Sequence, residues 1–110
     1  MRYSAFYTES VEKDIEEAAR YIRDQLHNPS ASENLLAELS SEITELEENP
    51  FICAVIDDPI LKSVGLRFSV VRNYLLFYTV STAEKTITIL RFLNGRMNWK
   101  SILGQSFSID

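Results

Sequence analysis

A chain of 110 residues with 45% hydrophobic side chains is enough for one domain, residues 1–110, and no apolar run approaches the roughly 20 residues of a membrane span. One cysteine (Cys53) and one histidine (His27) exclude an internal disulfide and argue against a metal site, and the charged N-terminus lacks the apolar stretch of a secretory signal. The net charge of −5 argues against a nucleic-acid binder. We therefore expect a cytoplasmic protein with no metal and no cofactor.

The first half of the chain predicts one short strand and two helices. Residues 2–7 alternate weakly, and Thr8 or Ser10 can cap the helix that follows. Apolar side chains recur at three-to-four-residue spacing from Glu9 to Leu26, which is typical of one helical face. The sequence Ser30-Ala31-Ser32-Glu33 has the form of a capping box and predicts a second helix that ends before Pro50. The short connection between the helices predicts an antiparallel hairpin.

The second half changes to the two-residue period of strands. Residues 66–71, 74–80 and 86–92 are rich in alternating, aromatic or β-branched side chains and predict three strands. Arg72-Asn73 predicts a tight hairpin turn in which Asn73 adopts the left-handed backbone, and residues 82–85 predict a second turn. Residues 52–63 are predicted to form a loop, and residues 97–103 a short helix that covers a sheet edge.

Together these elements predict an α+β fold. It consists of an N-terminal strand, an antiparallel helix hairpin packed on a twisted antiparallel sheet (a meander), and a short C-terminal helix. The sequence shows no internal repeat and no linker.

The two halves of the chain differ in charge. Residues 1–50 carry twelve acidic and four basic side chains, whereas residues 51–110 carry four acidic and seven basic ones. Between Pro59 and Lys100 those seven basic residues accompany a single acid, Glu84. This concentration predicts that an acidic or phosphate-bearing partner approaches the sheet, with ordinary solubilising charge as the alternative.

Four segments carry a more specific signal than the order of elements. They are Ala18-Ala19-Arg20-Tyr21-Ile22, Gly65-Leu66-Arg67, Asn73-Tyr74-Leu75-Leu76-Phe77-Tyr78 and the stretch from Ile89 to Trp99 that ends in Asn94-Gly95-Arg96-Met97-Asn98-Trp99. In this order and spacing they resemble the RelE/ParE toxins of type II toxin–antitoxin systems, over nearly the whole chain. The resemblance implies a growth-inhibiting toxin of the kind that serves plasmid stabilisation, with a cognate antitoxin protein as its partner.

The resemblance leaves two kinds of target open. Relatives that cleave mRNA on the ribosome hold phosphates with basic residues and commonly carry a His or Tyr near the chain end. Here Asn94 stands where many relatives have His, Leu75 stands where some have Arg, and no tyrosine follows Tyr78. Asparagine is no general base near neutral pH. ParE-like relatives instead inhibit DNA gyrase without a known nuclease site, so a protein target such as gyrase is slightly favoured over the ribosome and mRNA.

The candidate site residues follow from these two hypotheses. For mRNA cleavage, Arg67, Arg91 and Arg96 are the candidate catalytic residues, which would grip the scissile phosphate and stabilise developing charge. The candidate target-binding residues are Arg72, Tyr74, Tyr78, Asn94 and Lys100. For Arg67 and Arg91 an internal pair with a helix carboxylate is the open alternative, because an unpaired buried charge is costly. Plain solvation is the alternative for Arg72, and a core position is the alternative for both tyrosines.

Overall fold

The computed structural model describes residues 2–106. In chain order the elements are β1 (Ser4–Tyr7), α1 (Glu9–Arg20), a π-helical turn (Tyr21–Gln25), α2 (Pro29–Glu48), α3 (Pro59–Ser63), β2 (Arg67–Val71), β3 (Tyr74–Ser81), β4 (Thr86–Asn94) and α4 (Trp99–Ser106). The predicted α+β fold is confirmed. The predicted loop over residues 52–63 contains the short helix α3, which begins at Pro59 because Asp58 caps it and proline suits the first helical position. In the described part of the chain, no helix combines the length and apolar character of a membrane span.

Side-chain caps fix where the two long helices begin. The Thr8 hydroxyl accepts a hydrogen bond from the Val11 amide at 3.1 Å, as predicted for a cap at this position. The predicted capping box at Ser30 is wrong, because α2 begins at Pro29 and its cap is Asn28, whose side-chain oxygen accepts from the Ala31 amide at 3.1 Å. Ser32 has a different role, since its hydroxyl donates to the Ala19 carbonyl at 2.8 Å and ties α2 to α1.

The sheet has the strand order β1-β4-β3-β2. Strands β2, β3 and β4 form the predicted antiparallel meander. Strand β1 adds to it in parallel orientation, from the pair Ser4↔Thr86 to the pair Tyr7↔Ile89, so the four-stranded sheet is mixed. Because β1 pairs only with the first half of β4, the edge of β4 beyond Ile89 has no neighbouring strand among residues 2–106, and α1 runs beside it.

The turn between β2 and β3 has two residues, as predicted. The prediction that Asn73 adopts the left-handed backbone is wrong. Arg72 has a φ of 57°, and Asn73 is not among the residues with positive φ. A positive φ at the first loop position is the geometry of the type II′ hairpin turn. Arg72 also pairs with the Glu38 carboxylate on α2, which holds its side chain against the helix.

Both faces of the sheet are covered. On one face α1 and α2 bury side chains that include Val11, Leu35 and Leu46 against Tyr78 and Ile89. On the other face a second cluster contains Leu66, Phe77, Leu93 and Leu103. Helix α4 therefore covers this second face, and the prediction that it covers an edge is wrong. Alternation along β3 and β4 turns apolar side chains to both faces, so each face needs a cover.

Candidate functional site

The described residues form a groove of about 510 Å³ between α1 and the open half of β4, here called the α1–β4 groove. The helical side contributes Asp14, Glu17, Ala18 and Tyr21, and the sheet side contributes Tyr74, Arg91, Phe92, Leu93, Asn94, Arg96 and Met97. The groove lies where β1 ends and where no other strand in the described part of the chain pairs with this edge of β4, so side chains of α1 meet the edge of the sheet directly.

Asp14 and Arg91 form the centre of this groove. The Asp14 carboxylate accepts from Arg91 Nε at 2.7 Å and from Arg91 Nη2 at 2.9 Å, and it also accepts from the Phe92 amide at 3.0 Å. Only 9% of the Asp14 side chain and 22% of the Arg91 side chain are exposed. The hydrogen bond that Arg91 donates to Asp14 raises the pKa of Arg91, and this effect outweighs the opposing effect of burial. The pair also satisfies a strand amide that has no strand partner.

The aromatic wall of the groove is the set of four side chains, Tyr21, Tyr74, Phe92 and Met97, that line it from its helical and sheet sides. Tyr74 stacks on Phe92, with ring centroids 4.8 Å apart and planes 12° from parallel. Tyr21 and Met97 lie beside it and are 52% and 46% exposed. Tyr21 opens the π-helical turn, in which the Leu26 amide donates to the Tyr21 carbonyl five residues earlier at 3.2 Å. Such turns are frequent at functional sites.

Asn94 connects the aromatic wall to the loop that carries Arg96. Its side-chain oxygen accepts from the Arg96 amide at 2.9 Å. Burial raises the pKa of Tyr74 above its usual value. This effect is larger than that of the hydrogen bond between Tyr74 and Asn94, which lowers the pKa. Tyr74 and Asn94 are directly opposite each other in the β3–β4 ladder, so the strand register itself brings them together.

The charges of the groove balance. Asp14 and Glu17 face Arg91 and Arg96, and their formal charges cancel. Within residues 2–106, no three His, Cys, Asp or Glu side chains come together as ligands of a metal ion would. The groove therefore offers aromatic surface and balanced charge to a ligand.

The structure brings four of the predicted site residues into this groove: Tyr74, Arg91, Asn94 and Arg96. It places the other four elsewhere, and each has an internal contact. The Arg67 guanidinium donates to the Cys53 carbonyl and lies 5.0 Å from the centroid of the Phe51 ring.

Arg72, Tyr78 and Lys100 are likewise held away from the groove. Arg72 pairs with Glu38. Tyr78 is fully buried, its hydroxyl donates to the Pro50 carbonyl at 3.0 Å, and burial raises its pKa. The Lys100 ammonium lies 5.7 Å from the centroid of the Trp99 ring. The three candidate catalytic arginines therefore do not converge, since Arg67 lies outside the groove that contains the other two.

Sequence reasoning missed Asp14, Glu17, Tyr21 and Met97. Asp14 carried a usable signal, because it lies on the same helical face as the buried residues Val11 and Ala18, where an acid needs a partner. Tyr21 belongs to a segment that carried the resemblance, but the helical pattern there predicted only which side chains form the apolar face. For Glu17 and Met97 the sequence offers no comparable signal.

The solved structures that share this fold include two toxin–antitoxin assemblies. One is the chromosomal ParDE toxin–antitoxin system from P. aeruginosa, with a TM-score of 0.66 and 16% identity over 84% of this chain and 96% of that one. The other is the toxin–antitoxin complex RelBE2 from Mycobacterium tuberculosis, with a TM-score of 0.62 and 17% identity over 86% of this chain and 99% of that one. At these identities the likeness establishes the fold.

The family follows from the sequence match. The sequence model of one protein family, the ParE toxin of the type II toxin–antitoxin system parDE, matches residues 5–99. The chain belongs to this ParE toxin family and is a toxin of a type II toxin–antitoxin system, as its resemblance to the RelE/ParE toxins predicted. No curated protein sequence matches it significantly.

Proposed function

We propose that this toxin inhibits growth by binding a protein target, with DNA gyrase as the first candidate, and that a cognate antitoxin binds and neutralises it. Membership of a family defined by the parDE system supports the antitoxin partner, and both structural neighbours are toxin–antitoxin assemblies. The proposed action takes place in the cytoplasm, where gyrase works. A plasmid-borne copy would contribute to plasmid stabilisation.

The observation that carries this proposal is the charge balance of the α1–β4 groove. Phosphate contacts supply much of the affinity for nucleic acid, so a groove that holds an RNA backbone needs an excess of positive charge. Here Asp14 already binds Arg91, and Glu17 adds a second negative charge beside it. A protein surface that presents single carboxylates and apolar side chains suits this groove better than a chain of phosphates.

The groups available for proton transfer also favour binding over cleavage. A general acid or base works best when its pKa is near the working pH. Burial raises the pKa of Tyr74, which moves its hydroxyl further from that range, and Asn94 does not titrate. Burial likewise raises the pKa of Tyr78, whose hydroxyl is bonded to Pro50 inside the core. These properties support a non-catalytic toxin.

Two assays on the purified toxin separate the targets. The first follows supercoiling of relaxed plasmid by gyrase, and the second follows cleavage of mRNA on translating ribosomes by primer extension. We expect arrested supercoiling and intact mRNA. Arg96→Gln should weaken the arrest, whereas Arg23→Gln, which changes an arginine paired with Asp24 on an exposed helical surface, should not. Cleaved mRNA with normal supercoiling would replace this proposal by the mRNA endonuclease alternative.

The antitoxin is tested through stability. A partner that binds only the folded toxin raises its free energy of unfolding, by about 2.7 kcal/mol at a free concentration of about one hundred times the Kd. We therefore expect the product of the neighbouring reading frame to raise the melting temperature of the toxin and to restore growth when both are expressed. Unchanged melting at saturating concentrations of that product would contradict the assignment of the partner.

A further inference from the structure

We propose that the α1–β4 groove binds a loop of the target protein in which a large apolar side chain lies next to an Asp or Glu. In this arrangement Arg96 and the open side of Arg91 bind the carboxylate, and Tyr21, Tyr74 and Met97 contact the apolar side chain. The inference rests on the proposed function only in taking the target to be a protein.

Arg91 is already ordered for such a contact. Two of its nitrogens, Nε and Nη2, donate to Asp14, and no bond from Nη1 to another described residue accompanies them. A guanidinium has five N–H donors in a fixed plane, so the bond to Asp14 leaves donors for a second acceptor. Because Asp14 has fixed the side chain before binding, little conformational entropy is lost when a ligand arrives.

Arg96 supplies the charge that Arg91 lacks. Its backbone amide is bonded to Asn94, which fixes the start of the loop, while its side chain is exposed and forms no ion pair with the residues that the structure describes. The positive charge of Arg91 is matched by Asp14, so Arg96 provides the main attraction for a carboxylate. One such cation, in a groove that also contains Glu17, suits one carboxylate better than several phosphates.

The aromatic wall explains why the ligand should also be apolar. Tyr, Met and Arg are enriched in protein–protein interfaces, where rigid aromatic rings provide contact area at low entropic cost. Tyr21 on the helical side and Met97 on the sheet side expose about half of their surface and line the groove together with the stacked ring of Tyr74. A cavity of about 510 Å³ has the size of a small-ligand pocket, so it accepts one or two side chains of a loop.

The test is a titration of isotope-labelled toxin followed by NMR, with no gyrase present. The probe is a capped hexapeptide, Ser-Gly-Leu-Asp-Gly-Ser, and the controls replace its Asp by Asn, its Leu by Ser, or the peptide by a six-nucleotide RNA. We expect the Leu-Asp peptide to shift the Arg91 Nε–H signal and the amide signals of Tyr21, Asn94 and Arg96. The peptide with Asn should bind at least about tenfold more weakly, since the charge-assisted contact that it loses contributes more than the 1.4 kcal/mol that equals tenfold. The peptide with Ser and the RNA should also bind at least about tenfold more weakly, because neither buries a leucine side chain in the groove.

Variants with matched controls test the two halves of the groove. Tyr21→Ala should weaken the peptide by about tenfold, and Phe6→Ala, which removes an aromatic ring that is 58% exposed on β1, should leave it unchanged. Arg96→Gln should weaken only the peptide that carries Asp, with Arg23→Gln as its control.

Stronger binding of the RNA than of the peptide at these residues, or no shift at millimolar peptide, would overturn the inference. It would also fail if Phe6→Ala weakened binding as much as Tyr21→Ala. Arrest of gyrase without peptide binding would leave the proposed function intact while removing this inference. Peptide binding without arrest of gyrase would support the ligand class and remove gyrase as the target.

Discussion

Replacement of Asp14 by alanine tests whether the Asp14–Arg91 pair stabilises the fold as well as the groove. The carboxylate accepts three hydrogen bonds, two from Arg91 and one from the Phe92 amide. Alanine removes both acceptor oxygens and therefore all three hydrogen bonds. It leaves a largely buried guanidinium without its counter-ion and a strand amide without a partner, and both losses destabilise the folded state.

The expected magnitude lies between two limits. Exposed ion pairs contribute about 0 to 1 kcal/mol, whereas removal of one partner of a buried pair costs about 3 to 5 kcal/mol. Because Arg91 retains 22% exposure, water can partly replace the carboxylate. We expect Asp14→Ala to lower the free energy of unfolding by about 2 to 4 kcal/mol, or the melting temperature by about 8 to 16 °C for a domain of this size. Asp14→Asn, which keeps an acceptor for Phe92, should cost less.

Circular dichroism with heat and urea measures this change. The matched control is Glu16→Ala, which removes a carboxylate two residues away whose ion pair with Arg20 is exposed, and it should change stability by at most about 0.5 kcal/mol. A double-mutant cycle with Arg91→Met should give a coupling energy of about 1 kcal/mol or more. Equal melting of Asp14→Ala and Glu16→Ala, or a coupling near zero, would refute the argument.

Three further predictions concern groups outside the groove. Tyr78→Phe leaves the buried Pro50 carbonyl without its donor, so it should lower the free energy of unfolding by about 1 to 2 kcal/mol in urea denaturation while toxicity on induction persists. Burial raises the pKa of Tyr78, so the folded state keeps the proton that the unfolded chain releases near pH 10. The free energy of unfolding should therefore be unaffected below about pH 10 and decline above it, as measured by denaturation from about pH 9 to about pH 11. The decline should be smaller in Tyr78→Phe. Cys53→Ser with His27→Gln should leave growth inhibition intact, because neither side chain lines the α1–β4 groove, and a folded but inactive double variant would contradict this.

The sequence predicted the elements well because their signals are local. Helical and strand periods come from which side chains are buried, and these patterns predicted the helices, the meander and the final helix. The orientation of β1 depends on where the helix hairpin returns the chain, which no local period encodes. The cap of α2 was missed although Asn28 followed by Pro29 is itself a local start signal. The left-handed residue of the hairpin turn is Arg72, whose side chain pairs with Glu38 on α2, a contact that lies outside the turn.

Of the residues that line the α1–β4 groove, the sequence predicted only some of those on the sheet side. Tyr74, Asn94, Arg91 and Arg96 lie within two neighbouring strands and the loop after them, so their proximity follows from a hairpin that the turn residues predict. The helical half could not be placed in the same way. Asp14 is 77 residues from Arg91 in the chain, and the position of α1 across the sheet determines which carboxylate meets which arginine.

The separate environments of the three arginines also explain why sequence alone could not rank them. All three arginines carry the same charge, but their partners differ. Arg67 is bonded to a backbone carbonyl and Arg91 to the Asp14 carboxylate, and only Arg96 is exposed at the groove without an ion pair to any described residue. A charge already neutralised inside the fold adds stability and orientation, whereas a free charge adds attraction for a partner. Loss of Arg96 should therefore reduce target binding with little effect on folding, and loss of Arg91 should reduce both.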